Sequence, residues 1–196
     1  IMEIINQHAE KVIQQYIRQF VQANAAARII HTLLEHVGVG LRPSIDHLSI
    51  RTLDVQERAL EFEALGFGFD ANLGVIERDS WWGKVYRKPG FPPIYLDQAF
   101  ADARGVGSLI PNWVKQFTDG GLHHIAIVVE DIDVAVERFK SHGVLFEDSI
   151  SGRLCDPFRQ IYSIPEMVDG SAFTVIEIVE RRWGYTGFIS PLAGNF

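Results

Sequence analysis

Apolar residues recur at helical spacing through residues 3–38: Ile4, Ile5, Val12, Ile13, Tyr16, Ile17, Phe20 and Val21, then Ile29, Ile30, Leu33, Leu34 and Val37. The spacing predicts an antiparallel helix pair with its break near Gln22-Ala23-Asn24, ended by Gly38-Val39-Gly40 and Pro43. From Ser44 the period changes. Asp46-His47-Leu48-Ser49-Ile50-Arg51-Thr52 alternates as a half-polar strand does, and Asp54 then stands in N-cap position before an amphipathic stretch that Gly66 stops.

The same pattern occurs twice. Residues 46–55 lie without gaps on residues 123–132, which sets His124 opposite His47 at an offset of 77 residues, and the offset also carries Gly66 onto Gly143 and Phe69 onto Phe146. Each copy reads as a βαβββ module. Later strands are predicted over residues 80–87 and 93–98 in the first copy and over 159–164 and 173–180 in the second. The predicted organisation is α+β: a helical segment over 1–43, a first module over 44–100, a connector over 101–119 with a short helix near 111–117, and a second module with its tail over 120–196.

Candidate chemistry follows from strand alternation. His47, Ser49 and Arg51 share one face while Leu48 and Ile50 take the other, and His124, Ala126 and Val128 hold the matching positions in the second copy. In the last strand, Glu177 and Glu180 stand among apolar neighbours, where an unpaired carboxylate costs several kcal/mol unless a cation meets it. Two imidazoles, His47 and His124, with one carboxylate of the last strand form the facial triad that leaves positions open on a non-haem Fe(II). Aligning Ile94-Tyr95-Leu96 with Ile176-Glu177-Ile178 puts Tyr95 where a fourth ligand would stand, although Asp97, two residues on, shares that face and would restore an acid under a small register shift. Arg51, about 13 Å along the strand from His47, has the forked donors that suit a substrate carboxylate. The plain alternatives are a structural role for each histidine, an ion pair of Arg51 with Asp97 or Glu180, and a core role for Trp81, Trp82, Tyr95, Tyr162 and Phe188.

Composition narrows the partners. The chain of 196 residues has 47% hydrophobic residues and a net charge of -7, which favours a folded core and argues against nucleic acid. The single cysteine, Cys155, offers no internal disulfide and suits a reducing, cytoplasmic setting; the polar N-terminal stretch reads as neither a membrane span nor a signal peptide.

These residues resemble the vicinal oxygen chelate superfamily, and within it the iron-dependent 2-oxo acid dioxygenases. Residues 120–127 with Glu130-Asp131-Ile132, the stretches Gln160-Ile161-Tyr162-Ser163 and 176–181, and the tail from Gly187-Phe188 to Ala193-Gly194-Asn195-Phe196 are similar to the C-terminal half of 4-hydroxyphenylpyruvate dioxygenase. Asp46-His47-Leu48-Ser49-Ile50-Arg51-Thr52 and Pro92-Pro93-Ile94-Tyr95 resemble the 2-oxoadipate dioxygenase/decarboxylase family. The resemblance implies a cup-shaped mixed sheet, His47, His124 and Glu177 as iron ligands, Arg51 as the partner of a substrate's distal carboxylate, and Gln160 in the substrate pocket with Ser49 and Tyr95. The expected activity is oxidative decarboxylation of a small 2-oxo acid with O2. The rivals are a non-redox isomerase, lyase or hydrolase of glyoxalase type using Zn, Ni or Mn, and a binding module without catalysis. The sequence leaves open whether the modules pair within one chain or across a homodimer.

Overall fold

Asn24 accounts for the first break in the chain. It N-caps α2 (Ala25–His36) by accepting from the Ala27 amide at 2.9 Å, directly after α1 (Met2–Ala23), while its amide nitrogen donates to the Thr174 carbonyl at 3.2 Å. Gly38, at φ 73°, carries the chain out of α2, and a single turn, α3 (Leu41–Ser44), leads into the first strand. These features belong to a computed structural model that describes residues 2–189. The tail motif Ala193-Gly194-Asn195-Phe196 lies outside them.

The chain divides into two units. The first joins the segment up to Gln19 with His47–His123; the second joins Phe20–Asp46 with the segment from His124 on. In the first unit the strands run in the order β2 (Gly68–Phe69), β4 (Trp81–Arg87), β5 (Ile94–Ala99), β1 (Ile45–Arg51), with β3 (Val75–Glu77) on β4. β1 and β5 are parallel, and β4 runs antiparallel to β5. Helix α4 (Val55–Ala64) starts where Asp54 accepts from the amides of Gln56 and Glu57, at 2.8 and 3.0 Å, and buries Val55, Ala59 and Phe62. The predicted connector helix is α5 (Ile110–Gln116), and the connector's end is tied to the end of β1 by a bond from the Gly120 amide to the Arg51 carbonyl.

The second unit repeats this plan. β6 (Gly121–Val129) is parallel to β10 (Val175–Arg181), and β7 (Phe158–Tyr162) is antiparallel to β10. Asp131 caps α6 (Ile132–Lys140), as Asp54 caps α4. The strand predicted after the helix shrinks to two residues in the first unit, Gly68–Phe69, and to the isolated bridge of Phe146 with Ser163 in the second. Phe69 bridges Tyr86 and Phe146 bridges Ser163, so the 77-residue offset holds through the middle strand of each unit. It becomes 82 at the closing strand, where Tyr95 faces Val85 and Glu177 faces Tyr162. Between β7 and β10 the second unit places the small hairpin β8 (Met167–Val168) and β9 (Ser171–Ala172), which turns at Asp169-Gly170, both at positive φ. Residues 173–174, predicted as strand, belong to the hairpin's exit: Phe173 bonds the Glu166 carbonyl, and Thr174 is held by Asn24. Among the described residues no helix is long and apolar enough to cross a membrane.

Candidate metal centre and ligand face

In the second unit two of the predicted ligands meet. His124 Nε2 lies 3.3 Å from Glu177 Oε2, both side chains almost fully buried. The register explains the contact. Glu177 stands beside Ala126 on β6, and His124 stands beside Val175, so the imidazole and the carboxylate are diagonal neighbours on one face, with Ala126 and Val175 at the other two corners. Tyr162, paired with Glu177 on the β7 side, places its ring edge-on to the His124 ring at 5.6 Å between centroids. Residue type alone marks Tyr162 as a core aromatic; its position opposite Glu177 is the signal that ties it to His124 and Glu177.

The other carboxylate of β10 has the opposite fate. Glu180 points to the helix-packed face, where Arg159 lies at 3.3 Å, Arg182 pairs with it, and its Oε2 accepts from the Ile132 amide at 3.0 Å at the start of α6. Asp133 completes the cluster at 2.8 Å from Arg159, and that guanidinium holds the Asp133 carboxyl below the usual carboxylate range. Glu180 is thus a structural acid and Glu177 is the acid that faces an imidazole.

In the first unit His47, Ser49, Tyr95 and Asp97 are all buried, and Arg51 is half-buried at the strand end. Tyr95 pairs with Ser49 as Glu177 pairs with Ala126, and on the other side it faces Val85 as Glu177 faces Tyr162. Both registers therefore give Tyr95, not Asp97, the position equivalent to Glu177, so this unit supplies no acid there. The Tyr95 ring meets Trp81 at 6.2 Å between centroids and covers Gly83, where a Cβ would fall 2.7 Å from the Leu96 carbonyl oxygen and 2.9 Å from the ring. Gly83→Ala is expected to displace Tyr95 and to lower stability by ~1–3 kcal/mol, the usual cost of overpacking, read as a fall in the urea midpoint of unfolding. Asp97 lies directly opposite Arg51, whose guanidinium sits 5.5 Å from the Trp113 ring centroid. Burial pushes the Asp97 carboxyl up to about 7, against the pull of Arg51. Gln160 is half-buried on β7, exchanging backbone bonds with Ser151 at 2.8 and 3.0 Å and paired with Val179, on the same strand face as Tyr162. Cys155 is exposed and forms no disulfide.

No family model matches the chain. The mitochondrial methylmalonyl-CoA epimerase of Dictyostelium discoideum is 26% identical over 144 residues, covering 74% of this chain and 77% of that protein. Among solved structures, a proposed hydrolase of Shewanella frigidimarina superposes with a TM-score of 0.74 at 16% identity, over 92% of this chain and 97% of the other. A proposed glyoxalase superfamily protein of Ralstonia eutropha gives 0.64 at 13% identity, over 88% and 83%. The fold is that of the vicinal oxygen chelate superfamily. A mutant of the 4-hydroxymandelate synthase of Streptomyces coelicolor has the same fold, with a TM-score of 0.59 at 18% identity over 73% of this chain and 49% of its own. The vicinal oxygen chelate fold accounts for the duplicated unit seen here, a parallel pair of first and last strands with the middle strand antiparallel to the last.

Proposed function

We propose that the chain is a metal-dependent enzyme in which His47, His124 and Glu177 hold one divalent ion, Fe(II), and that it is a dioxygenase acting on a small 2-oxo acid. The observation that carries the metal is the buried contact of His124 with Glu177, an imidazole beside a carboxylate on adjacent strands. His47, buried on the first strand of its own unit, is the third donor of the proposed set. With Tyr95 at the position equivalent to Glu177, the donor set is two imidazoles and one carboxylate. That set suits an iron that keeps positions open for substrate and O2, whereas a fourth protein acid would suit a closed, non-redox ion. When bound, Fe(II) supplies the oxygen chemistry that no side chain provides.

The chain's own residues do the rest. Arg51 holds the far carboxylate of a substrate by its paired donors, and the ring of Trp113 restricts the guanidinium's orientation. Tyr162 presents an apolar ring beside His124, and Gln160 offers an amide on the same strand face as Tyr162. The likeness to 4-hydroxymandelate synthase supports the redox reading. The likeness to methylmalonyl-CoA epimerase supports the second reading, a non-redox metal-dependent isomerisation on the same scaffold.

An oxygen electrode separates the two. Protein loaded anaerobically with Fe(II) and offered a panel of 2-oxo acids is expected to consume O2 and release CO2 in equal amounts with at least one of them. Absence of uptake across the panel, together with solvent deuterium entering the carbon next to a substrate carbonyl, decides for the isomerase.

A further inference from the structure

Two buried polar atoms on the His47-bearing face of the first unit have no hydrogen-bond partner among the described residues: Ser49 Oγ and Asp97 Oδ1. They are neighbours by register. Ser49 pairs with Tyr95 and Arg51 with Asp97, so the hydroxyl, the carboxyl and the guanidinium project from one patch of two adjacent parallel strands. On its other side Asp97 faces Gly83, which brings no side chain. Buried polar atoms left in this state point to a polar ligand group that completes them.

We propose that Ser49, Arg51 and Asp97 form one subsite for the distal carboxylate of a dicarboxylic ligand, and that Asp97 is its specificity residue, because it must take a proton from solvent for that carboxylate to settle on Arg51. The proposal rests on the reading of Arg51 as the carboxylate's partner and adds the condition under which Arg51 can act. A ligand carboxylate arriving at Arg51 comes up against an ionised Asp97, and two like charges sharing one cation in a buried place repel strongly. Once neutral, Asp97 becomes a donor to the ligand, and Ser49 supplies a second hydroxyl donor. The Asp97 carboxyl already titrates near neutrality, so the proton is available at little cost.

His47 shares this strand face, two residues before Ser49. Arg51 from β1 is the charged group that acts on Asp97. Lys84 of β4 belongs to the opposite strand face and lies over the Phe69 and Trp82 rings. Arg58 and Glu61 of α4 pair with each other at 2.6 Å, and Lys115 of α5 is exposed.

The test is calorimetric titration of the full chain with glutarate and with valerate, a monocarboxylate of the same length. Near pH 8, Asp97→Asn is expected to bind glutarate about tenfold more tightly than the wild type, the effect of removing one like charge, with valerate unchanged, and Arg51→Met is expected to lose the glutarate preference. Titrations in buffers of different ionisation enthalpy are expected to show the wild type taking up about one proton per glutarate near pH 8 and almost none near pH 5, where Asp97 is already neutral. This second measurement uses no variant and decides the matter if Asp97→Asn does not fold. Equal glutarate affinity in wild type and Asp97→Asn, no proton uptake, or no glutarate binding at millimolar concentration overturns the proposal. Glutarate binding needs no turnover, so the failures are separable. A silent oxygen electrode with the expected calorimetry removes the dioxygenase alone; oxygen uptake with unchanged Asp97→Asn binding removes the subsite alone.

Discussion

Glu177→Gln is expected to reverse the sign of its effect on stability when metal is removed. In chelator-treated protein the substitution replaces a buried carboxylate, 1% exposed, with a neutral amide of the same shape that still reaches His124. Relieving the desolvation of a buried charge is expected to make this change neutral or stabilising. With Fe(II) or Zn(II) present, the wild type gains the binding free energy of the ion and the variant gains little of it, so the wild type becomes the more stable protein. His124→Ala is expected to lower metal affinity by more than about 100-fold, beyond the ~10–100-fold loss typical of residues that only orient a ligand. Thermal unfolding with and without metal, beside metal content measured after gel filtration, checks both. A structural ion pair of His124 with Glu177 makes the opposite forecast: Glu177→Gln would then destabilise by the same amount in both conditions, and metal content would not change.

Much of this site was legible in the chain because strands encode orientation in a period of two. The 77-residue repeat aligned His47 with His124, and the alternation in 173–180 singled out Glu177 and Glu180 as the two acids among apolar residues. What alternation could not decide was which acid is structural. That depended on Arg159, Arg182 and the amide of Ile132 converging on Glu180, partners from three separate segments. The equivalence of Tyr95 and Glu177 was readable only as an alignment that had to absorb extra residues, and the hairpin β8–β9 shows where they went. Asp97 was read as an alternative ligand or as the ion-pair partner of Arg51. The registers assign the ligand position to Tyr95 and leave Asp97 opposite Arg51 with a carboxyl oxygen unpartnered among the described residues. No pattern of residue types carries that information, because it depends on how deeply β5 is buried and on Gly83, opposite Asp97, bringing no polar side chain to the carboxyl. The helices were legible for a local reason: Asn24, Asp54 and Asp131 each cap the amides just downstream of them.

The same buried carboxyl makes the protein's stability depend on pH in a direction unusual for an aspartate. Its ordinary value is 3.8 and burial raises it to about 7 in the folded chain, so between those limits the folded state binds a proton that the unfolded state has released. Stability therefore falls as pH rises through this window, by up to ~4 kcal/mol if the whole shift is realised, and the contribution is fully present only below the ordinary value. Asp97→Asn removes the titrating group while keeping its shape. The variant is expected to match the wild type near pH 4 and to exceed it by a few kcal/mol near pH 8. Arg51→Met removes the charge that pulls the Asp97 carboxyl down, so its loss of stability should extend to higher pH than that of the wild type. Urea unfolding of metal-free protein at several pH values gives the three profiles. Parallel curves for wild type and Asp97→Asn would mean that Asp97 titrates alike in the folded and unfolded chain, and the buried, proton-holding carboxyl would then have no part in either stability or ligand choice.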